Sequence, residues 1–453
     1  MTKIHFIAIG GAAMHNLALA VASKDGYKVT GSDDEIFDPA RTHLADAGLL
    51  PREIGWHPER ITPDLDAVIL GMHAREDNPE LQKAQQLGLK IYSFPEYLYE
   101  QTRNKKRIVV GGSHGKTTTT AMILYVLRKL GIEADYMVGA QIEGFERMVR
   151  LSDTAEVAVF EGDEYLTSPL DPRSKFHLYH PHIAILTGIA WDHINVFPTF
   201  PQYVDTFRRF ADLIEPDGHL IYYNGDDNLR DIAAHSRPDI TKHPYEALVP
   251  DRPLGIFGQH NLQNMHAAML ACQEIGVSRE DFMSAIADFS GASNRLEKIA
   301  EKRNANGRLE AIAYKDFAHS PSKLRATVSA VREQYPAMYL VAAMELHTFS
   351  SLMADFLPQY QGCMAKANKA FVYFNPKVVE HKRLTPITAE EVTEAFASPN
   401  IRVFTDSNAL QQALREAAAD TAAAGQPLAL LLMSSGTFDG INIKEFATEL
   451  INK

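Results

Sequence analysis

Lys116 and Thr117 are the residues of this chain whose types and setting best suit phosphate chemistry. They close the run Arg107-Ile108-Val109-Val110-Gly111-Gly112-Ser113-His114-Gly115-Lys116-Thr117-Thr118-Thr119-Thr120. Apolar β-formers lead into a glycine turn, and a Gly-Lys-Thr step then opens a helix. Backbone N–H groups in such a turn point inward at anionic oxygens, and the helix N-terminus adds positive potential. The expected phosphate cradle is Gly112, Ser113, His114, Gly115, Lys116, Thr117 and Thr118. Lys116 reaches the terminal phosphates, and the Thr117 hydroxyl ligates Mg²⁺. The match to G-x-x-x-x-G-K-[ST] is imperfect, because Val110 stands where the first glycine belongs.

An ATP-dependent reaction needs a metal to neutralise phosphate charge and a cation at the γ-phosphate. Carboxylates suit the metal, since Mg²⁺ prefers oxygen ligands. The apolar run over 156–160 ends at Glu161-Gly162-Asp163-Glu164, and Glu161 is the expected Mg²⁺ ligand there. A second apolar run over 182–186 leads to Asp192-His193, and His193 is a candidate ligand for a further metal ion. Ligands of open α/β sheets collect beyond the carboxyl ends of the strands, so these groups are expected at one sheet edge. Asn261, Asn264 and Ala268 share helical i, i+3, i+7 spacing, and their amides suit an adenine edge or a polar helix cap equally.

These side chains need elements to hold them. The first segment reads as a strand over 4–9, the turn Gly10-Gly11, and a helix through Leu17, Leu19 and Val21. Asp33 follows Gly10 at close to the roughly 20-residue spacing of the dinucleotide fold. Ala8 and Ala13 occupy two of the fingerprint glycine positions, so the pattern favours a nucleotide diphosphate over NAD. The charged stretch over 100–107 reads as a linker or a solvated helix end. The helix after the phosphate loop buries Met122, Ile123, Val126, Leu127 and Leu130. Strand-like runs over 310–314, 339–343, 370–374, 402–404 and 428–433 alternate with helical runs, which implies another parallel sheet.

The chain has 453 residues, enough for about three domains. Its composition is ordinary for a globular protein, with 45% hydrophobic and 23% charged residues. A net charge of −12 argues against nucleic acid as partner. Cys272 and Cys363 make neither a disulfide framework nor a zinc site by themselves, which fits a reducing compartment. The N-terminus enters a strand pattern directly, without a secretory signal, and no apolar run approaches a membrane span. A cytoplasmic protein without membrane partners is expected.

The segments IAIGGAAM at 7–14, GSD at 31–33, GGSHGKTTTT at 111–120, EGDEY at 161–165, WDHINVF at 191–197, GQHNLQN at 258–264, SNRLE at 293–297 and YKDFAHSP at 314–321 occur in that order. Together they resemble the Mur ligase family, the ATP-dependent amide-forming enzymes of peptidoglycan synthesis. The resemblance implies an α/β fold of three domains. These are a Rossmann-like N-terminal domain for a UDP-linked sugar (1–105), a central P-loop ATPase domain with a parallel sheet (106–294), and a C-terminal α/β domain (295–453) that closes over ATP and brings the amine. It also implies that Lys116 and Thr117 handle phosphate and Mg²⁺, and that Glu161 and His193 are metal ligands. Asn261 and Asn264 would face adenine, and Arg295 and Asp316 would serve the nucleotide. His319 would lie near the reaction centre, and Gly10, Gly11 and Asp33 would help hold the UDP-sugar.

Within the family the chain is most similar to the recycling branch, which joins UDP-N-acetylmuramate to the tripeptide L-alanyl-γ-D-glutamyl-meso-diaminopimelate. The cue is EGDEYLTSPLDPRSKF at 161–176, with Tyr165 where the alanine-adding branch usually has Ser. Arg173 and Lys175 could meet peptide carboxylates or lie on a surface turn. His319-Ser320-Pro321 departs from the His-His-Pro of both branches, and His347 stands where relatives often carry an arginine. Those departures bear on the acceptor. Phe207-Arg208-Arg209-Phe210 offers no lysine for the modification that some relatives use. L-Alanine is the rival acceptor; a nicotinamide-dependent oxidoreductase or a non-catalytic UDP-sugar-binding protein are the readings from other classes.

Overall fold

A computed structural model describes all residues except 73, 143, 169, 195, 251–253, 255, 290–295 and 453. The chain is mixed α/β, built on three largely parallel sheets. The first sheet holds β1 (Thr2–Ile7), β2 (Tyr27–Ser32), β3 (Ala67–Leu70) and β4 (Ile91–Ser93) in the order β2-β1-β3-β4. The second holds β5 (Lys106–Gly111), β6 (Ala134–Met137), β7 (Val149–Arg150) and β8 (Val157–Glu161). A hairpin of β9 (Leu166–Ser168) and β10 (Asp171–Ser174) follows, and then β11 (Ile183–Leu186), β12 (His219–Tyr223) and β13 (Thr241–Tyr245) rejoin that sheet. Its order is β13-β12-β11-β5-β8-β6-β7. The third holds β14 (Glu297–Arg303), β15 (Leu309–Asp316), β16 (Tyr339–Glu345), β17 (Lys369–Tyr373), β18 (Ile401–Phe404) and β19 (Leu428–Met433), ordered β14-β15-β19-β16-β17-β18.

Parallel strands covered by helices on both faces read as continuous apolar runs. β19 does so: Leu428, Leu430 and Leu432 join one core cluster, while Ala429, Leu431 and Met433 join the cluster on the opposite face. β5 is likewise buried through Ile108, Val109 and Val110. In the first sheet β1 lies between β2 and β3, and in the second β5 lies between β11 and β8. Each is therefore a topological switch point, where adjacent loops diverge and leave a crevice at the carboxyl end. Both glycine turns found in the sequence leave these two strands.

The chain divides into two compact units. One comprises Met1–Ile189, Val196–Glu246 and Met265–Ile286; the other comprises Ala190–Asn195, Ala247–Asn264 and Ala287–Lys453. The first two sheets share a unit because side chains tie them. The Met148 amide donates to Asn16 Oδ1 at 3.1 Å, and Lys24 pairs with Asp153 at 2.8 Å.

The charged stretch over 100–107, read as a linker or a solvated helix end, holds the end of the helix Phe94–Thr102 and the start of β5. Arg107 is only 1% exposed. Its guanidinium donates to the carbonyls of Thr102, Arg103, Lys105, Tyr179 and His180 and pairs with Glu215 at 2.9 Å. The planar five-donor fork satisfies carbonyls that this crossover would otherwise bury unpaired. In the helix Lys116–Lys129 the predicted apolar face is buried, except that Leu130, just beyond its end, is exposed.

Candidate active site

The phosphate loop joins β5 to the helix Lys116–Lys129. Gly112 has φ 129° and Gly115 has φ 78°, conformations that residues with a Cβ rarely adopt. A Cβ on Gly112 would also overlap the Thr187 hydroxyl and lie 2.9 Å from the Thr187 amide nitrogen. Thr187 locks the loop from β11: its hydroxyl donates to the carbonyls of Gly111 (3.2 Å) and His114. The Ser113 amide donates to the Gly188 carbonyl at 2.9 Å. Gly115 precedes the helix without a side-chain cap. The first-turn N–H groups of Lys116, Thr117 and Thr118 have no intrahelical acceptor, and they carry the positive end of the helix dipole.

Lys116 Nζ donates to the Gly112 carbonyl and to Glu164 Oε2, both at 2.7 Å. Glu164 is 1% exposed, and its other oxygen accepts from the Tyr203 hydroxyl at 2.9 Å. With its one proton on Glu164, Tyr203 accepts from Ser113 Oγ at 2.8 Å. Burial alone would lower the Lys116 pKa; the carboxylates of Glu164, Asp163 and Glu161 outweigh it and raise the pKa above the usual lysine value. Lys116 is thus held as a cation beside the loop. Burial would also raise the Asp163 carboxyl, but the Lys175 and Lys116 ammonium groups hold it down to about 2. Tyr203 was missed in the sequence. Nothing local distinguishes it from a core aromatic on the helix Phe200–Asp212, where Phe207 and Phe210 are also buried.

The first carboxylate of the cluster, Glu161, ends β8 next to β5 in the sheet. Thr117 Oγ1 donates to Glu161 Oε1 at 2.8 Å, and the Gly139 amide donates to Oε2 at 2.7 Å. The residues fit Mg²⁺ in both chemistry and spacing. A hydroxyl and a carboxylate are the oxygen donors it prefers, and adjacent ligands of an octahedral ion bound at about 2.0–2.1 Å lie roughly 2.8–3.0 Å apart.

At the other switch point, the Gly10 amide donates to Asp33 Oδ2 at 2.6 Å. The acid after β2 therefore clasps the glycine turn after β1. A Cβ on Gly10 would sit 2.9 Å from that same oxygen, which accounts for the glycine. Ala8 has φ 64°, the left-handed conformation that the fingerprint glycine normally serves. Gly11 precedes the helix Ala12–Ala22. Burial pushes the Asp33 carboxyl up to about 6, against the lowering effect of the Gly10 hydrogen bond.

The second unit gathers a different set. The His193 amide donates to Asp192 Oδ1 at 2.8 Å. Burial would raise the Asp192 carboxyl, but the charges of His193, Lys323 and His319 lower it. Two predicted histidines, His193 and His319, thus share one carboxylate. Asp316 ends β15, and its carboxylate accepts the amides of Leu296 (2.5 Å) and Ala318 (2.7 Å). From a buried position it anchors the backbone just before β14 and just after β15. Asn261 turns its amide back to the Phe257 carbonyl at 3.0 Å, and Asn264 is buried one turn further along the helix Gln259–Gln273. Arg295 lies outside the described residues. Lys116, Thr117 and Glu161 converge in the first unit, whereas His193, His319, Asp316, Asn261 and Asn264 belong to the second.

On the hairpin after the acidic cluster, Arg173 pairs with Asp171 at 2.6 Å and Glu96 at 3.4 Å, and Lys175 pairs with Asp163 at 2.6 Å. In this structure both cations are held by acidic residues of the chain.

Comparison with known proteins agrees with this geometry. Residues 3–106 match the model described as "Mur ligase family, catalytic domain", and residues 110–247 match "Mur ligase middle domain". The chain is 30% identical over 396 residues to the UDP-N-acetylmuramate–L-alanine ligase of Limosilactobacillus reuteri, covering 81% of this chain and 84% of that one. It is 27% identical over 466 residues to the UDP-N-acetylmuramate–L-alanyl-gamma-D-glutamyl-meso-2,6-diaminoheptandioate ligase of Escherichia coli, covering 98% and 97%. Among solved structures, a murein peptide ligase from Psychrobacter arcticus superposes with a TM-score of 0.65 at 23% identity, covering 100% and 99%. The expected α/β architecture of parallel sheets is borne out. The chain belongs to the Mur ligase family and is an ATP-dependent ligase that forms amide bonds.

Proposed function

We propose that this ligase joins UDP-N-acetylmuramate to the amine of L-alanyl-γ-D-glutamyl-meso-diaminopimelate. The observation that carries the ATP chemistry is the Thr117–Glu161 pair beside Lys116 at the mouth of the phosphate loop. Two relatives named for the tripeptide acceptor align over 98% of this chain, and the segment Tyr165 to Phe176 favours the same acceptor.

In this reading the muramate carboxylate attacks the γ-phosphate of ATP, giving an acyl phosphate and ADP. The acceptor amine then attacks the carbonyl carbon, the C–N bond forms as the C–O bond breaks, inorganic phosphate leaves with the bonding electron pair, and the nitrogen gives up a proton. Lys116 offsets the negative charge that develops on the transferring oxygens. The loop amides and helix N-terminus orient the triphosphate. Thr117 and Glu161 would hold Mg²⁺, which would supply charge neutralisation of the phosphates, and His193 is proposed as a ligand of a further metal ion. Asn261, Asn264, Arg295 and Asp316 are proposed nucleotide contacts, His319 a catalytic residue, and Gly10, Gly11 and Asp33 the UDP-sugar contacts. We assign the UDP-sugar to residues 1–105, ATP to 106–294 and the acceptor to 295–453, in the cytoplasm.

L-Alanine is the second reading, favoured by the 30% identical relative named for it. Offering each acceptor separately with ATP and UDP-N-acetylmuramate, and weighing the UDP product by mass spectrometry, separates the two. A product formed only with L-alanine would overturn the tripeptide assignment.

A further inference from the structure

The amino end of β12 and the middle of β13 carry a second cluster of chemically capable side chains. In the parallel pairing His219 faces Thr241 and Ile221 faces His243. Residues two apart on a strand share a face, so the two imidazoles are diagonal neighbours on one side of the sheet. Their nearest nitrogens, His219 Nδ1 and His243 Nε2, lie 3.0 Å apart. Glu274, just past the helix Gln259–Gln273, brings a carboxylate to the same spot. Its Oε2 is 3.2 Å from His219 Nε2, and its Oε1 is 3.5 Å from His243 Nε2.

We propose that His219, His243 and Glu274 form a binding site for a divalent transition-metal ion of the Zn²⁺ type. One donor atom from each residue lies within 4.8 Å of the others. Ligands of a tetrahedral ion with bonds of about 2.0–2.1 Å stand roughly 3.3 Å apart, so a rotation of the His219 ring, which now turns one nitrogen to each partner, completes the set. Two imidazoles and one carboxylate leave a fourth position for water. The three side chains are 21%, 24% and 25% exposed, so an ion can enter from solvent. Lys106 is the nearby cation, and its ammonium is engaged by the Glu274 backbone carbonyl at 2.5 Å.

The site differs from the Thr117–Glu161 pair in chemistry and place. Imidazoles select Zn²⁺, Co²⁺ or Ni²⁺ over Mg²⁺. His219 is level with Ile183 and hence with Ile108, whereas the phosphate loop leaves the opposite end of β5 after Gly111. Because β13 is the edge strand, paired with β12 among the described residues, the ion would clamp that edge to its neighbour and to the helix end.

The test is calorimetric titration of the chelator-treated full chain with Zn²⁺ alone, followed by Co²⁺ alone with the ligand-field absorption recorded. Wild type should bind one Zn²⁺ equivalent that His243→Asn and Glu274→Gln each weaken by more than about tenfold, and show a four-coordinate Co²⁺ spectrum that both variants lose. Both variants should keep wild-type circular dichroism and ATP-dependent ligation in Mg²⁺. Absence of a saturable equivalent in wild type, or unchanged affinity and Co²⁺ spectrum in both folded variants, would overturn the proposal.

Discussion

Lys116 Nζ and Glu164 Oε2 stand 2.7 Å apart, with the carboxylate almost wholly buried. The pair keeps the loop lysine charged, but it also makes stability depend on a residue whose task is phosphate. Lys116→Ala leaves the buried Glu164 charge without its ammonium partner, although the Tyr203 hydroxyl still donates to it, which should cost about 3–5 kcal/mol in urea denaturation. Lys116→Ala/Glu164→Gln should regain most of that stability yet remain without ATP-dependent phosphate release. Ligation at the wild-type rate by either variant would refute the role of Lys116.

The Thr117–Glu161 contact makes a separate prediction about metal. Glu161→Gln keeps an oxygen for the Gly139 amide but removes the charge. The Mg²⁺ concentration for half-maximal ligation should rise at least about tenfold, and kcat should fall by roughly 10²-fold or more, as expected when a phosphate-neutralising ligand is lost. A steady-state Mg²⁺ titration at saturating ATP reads both. An unchanged Mg²⁺ dependence would remove Glu161 from the metal site.

Gly112→Ala meets both a φ of 129° and the Thr187 hydroxyl. Together these should cost about 2–4 kcal/mol by chemical denaturation. Gly48→Ala is the control: its φ is 69° and nothing lies within 4 Å of the added Cβ, so about 1 kcal/mol is expected. Equal losses at the two positions would show that Thr187 exerts no steric lock.

Asp33 predicts a pH dependence of opposite sign to the usual carboxylate. Its carboxyl, raised from 3.8 to about 6 by burial, keeps a proton in the folded chain that the unfolded chain has already released. Its contribution to stability therefore falls as pH rises from about 4 to 6 and levels off above. Asp33→Asn should remove that slope and raise stability above pH 6 by about 2–3 kcal/mol. A difference between wild type and variant that does not change across this window, measured by urea denaturation, would contradict the raised pKa.

Much of the fold was legible because buried parallel strands are continuous apolar runs: β8, β11, β16 and β19 all sit where such runs occur. Less apolar strands were not legible. β14 alternates exposed and half-buried residues, and β13 carries Thr241, Lys242, His243 and Pro244, so neither stands out locally. The stretch over 100–107 misled for the converse reason, since Arg107 looks solvated until five backbone carbonyls close on its guanidinium.

By itself the sequence determined the local devices: glycines where positive φ is needed, a lysine and threonine opening a helix, and acids at strand ends. These depend on backbone conformation and spacing within a few residues. Only the tertiary structure decided that Glu164 rather than Glu161 pairs with Lys116, that Glu161 meets Thr117, and that Tyr203 joins them. It also brought His219, His243 and Glu274 together. Those choices follow from strand order and register, which set side chains far apart in sequence within hydrogen-bonding distance.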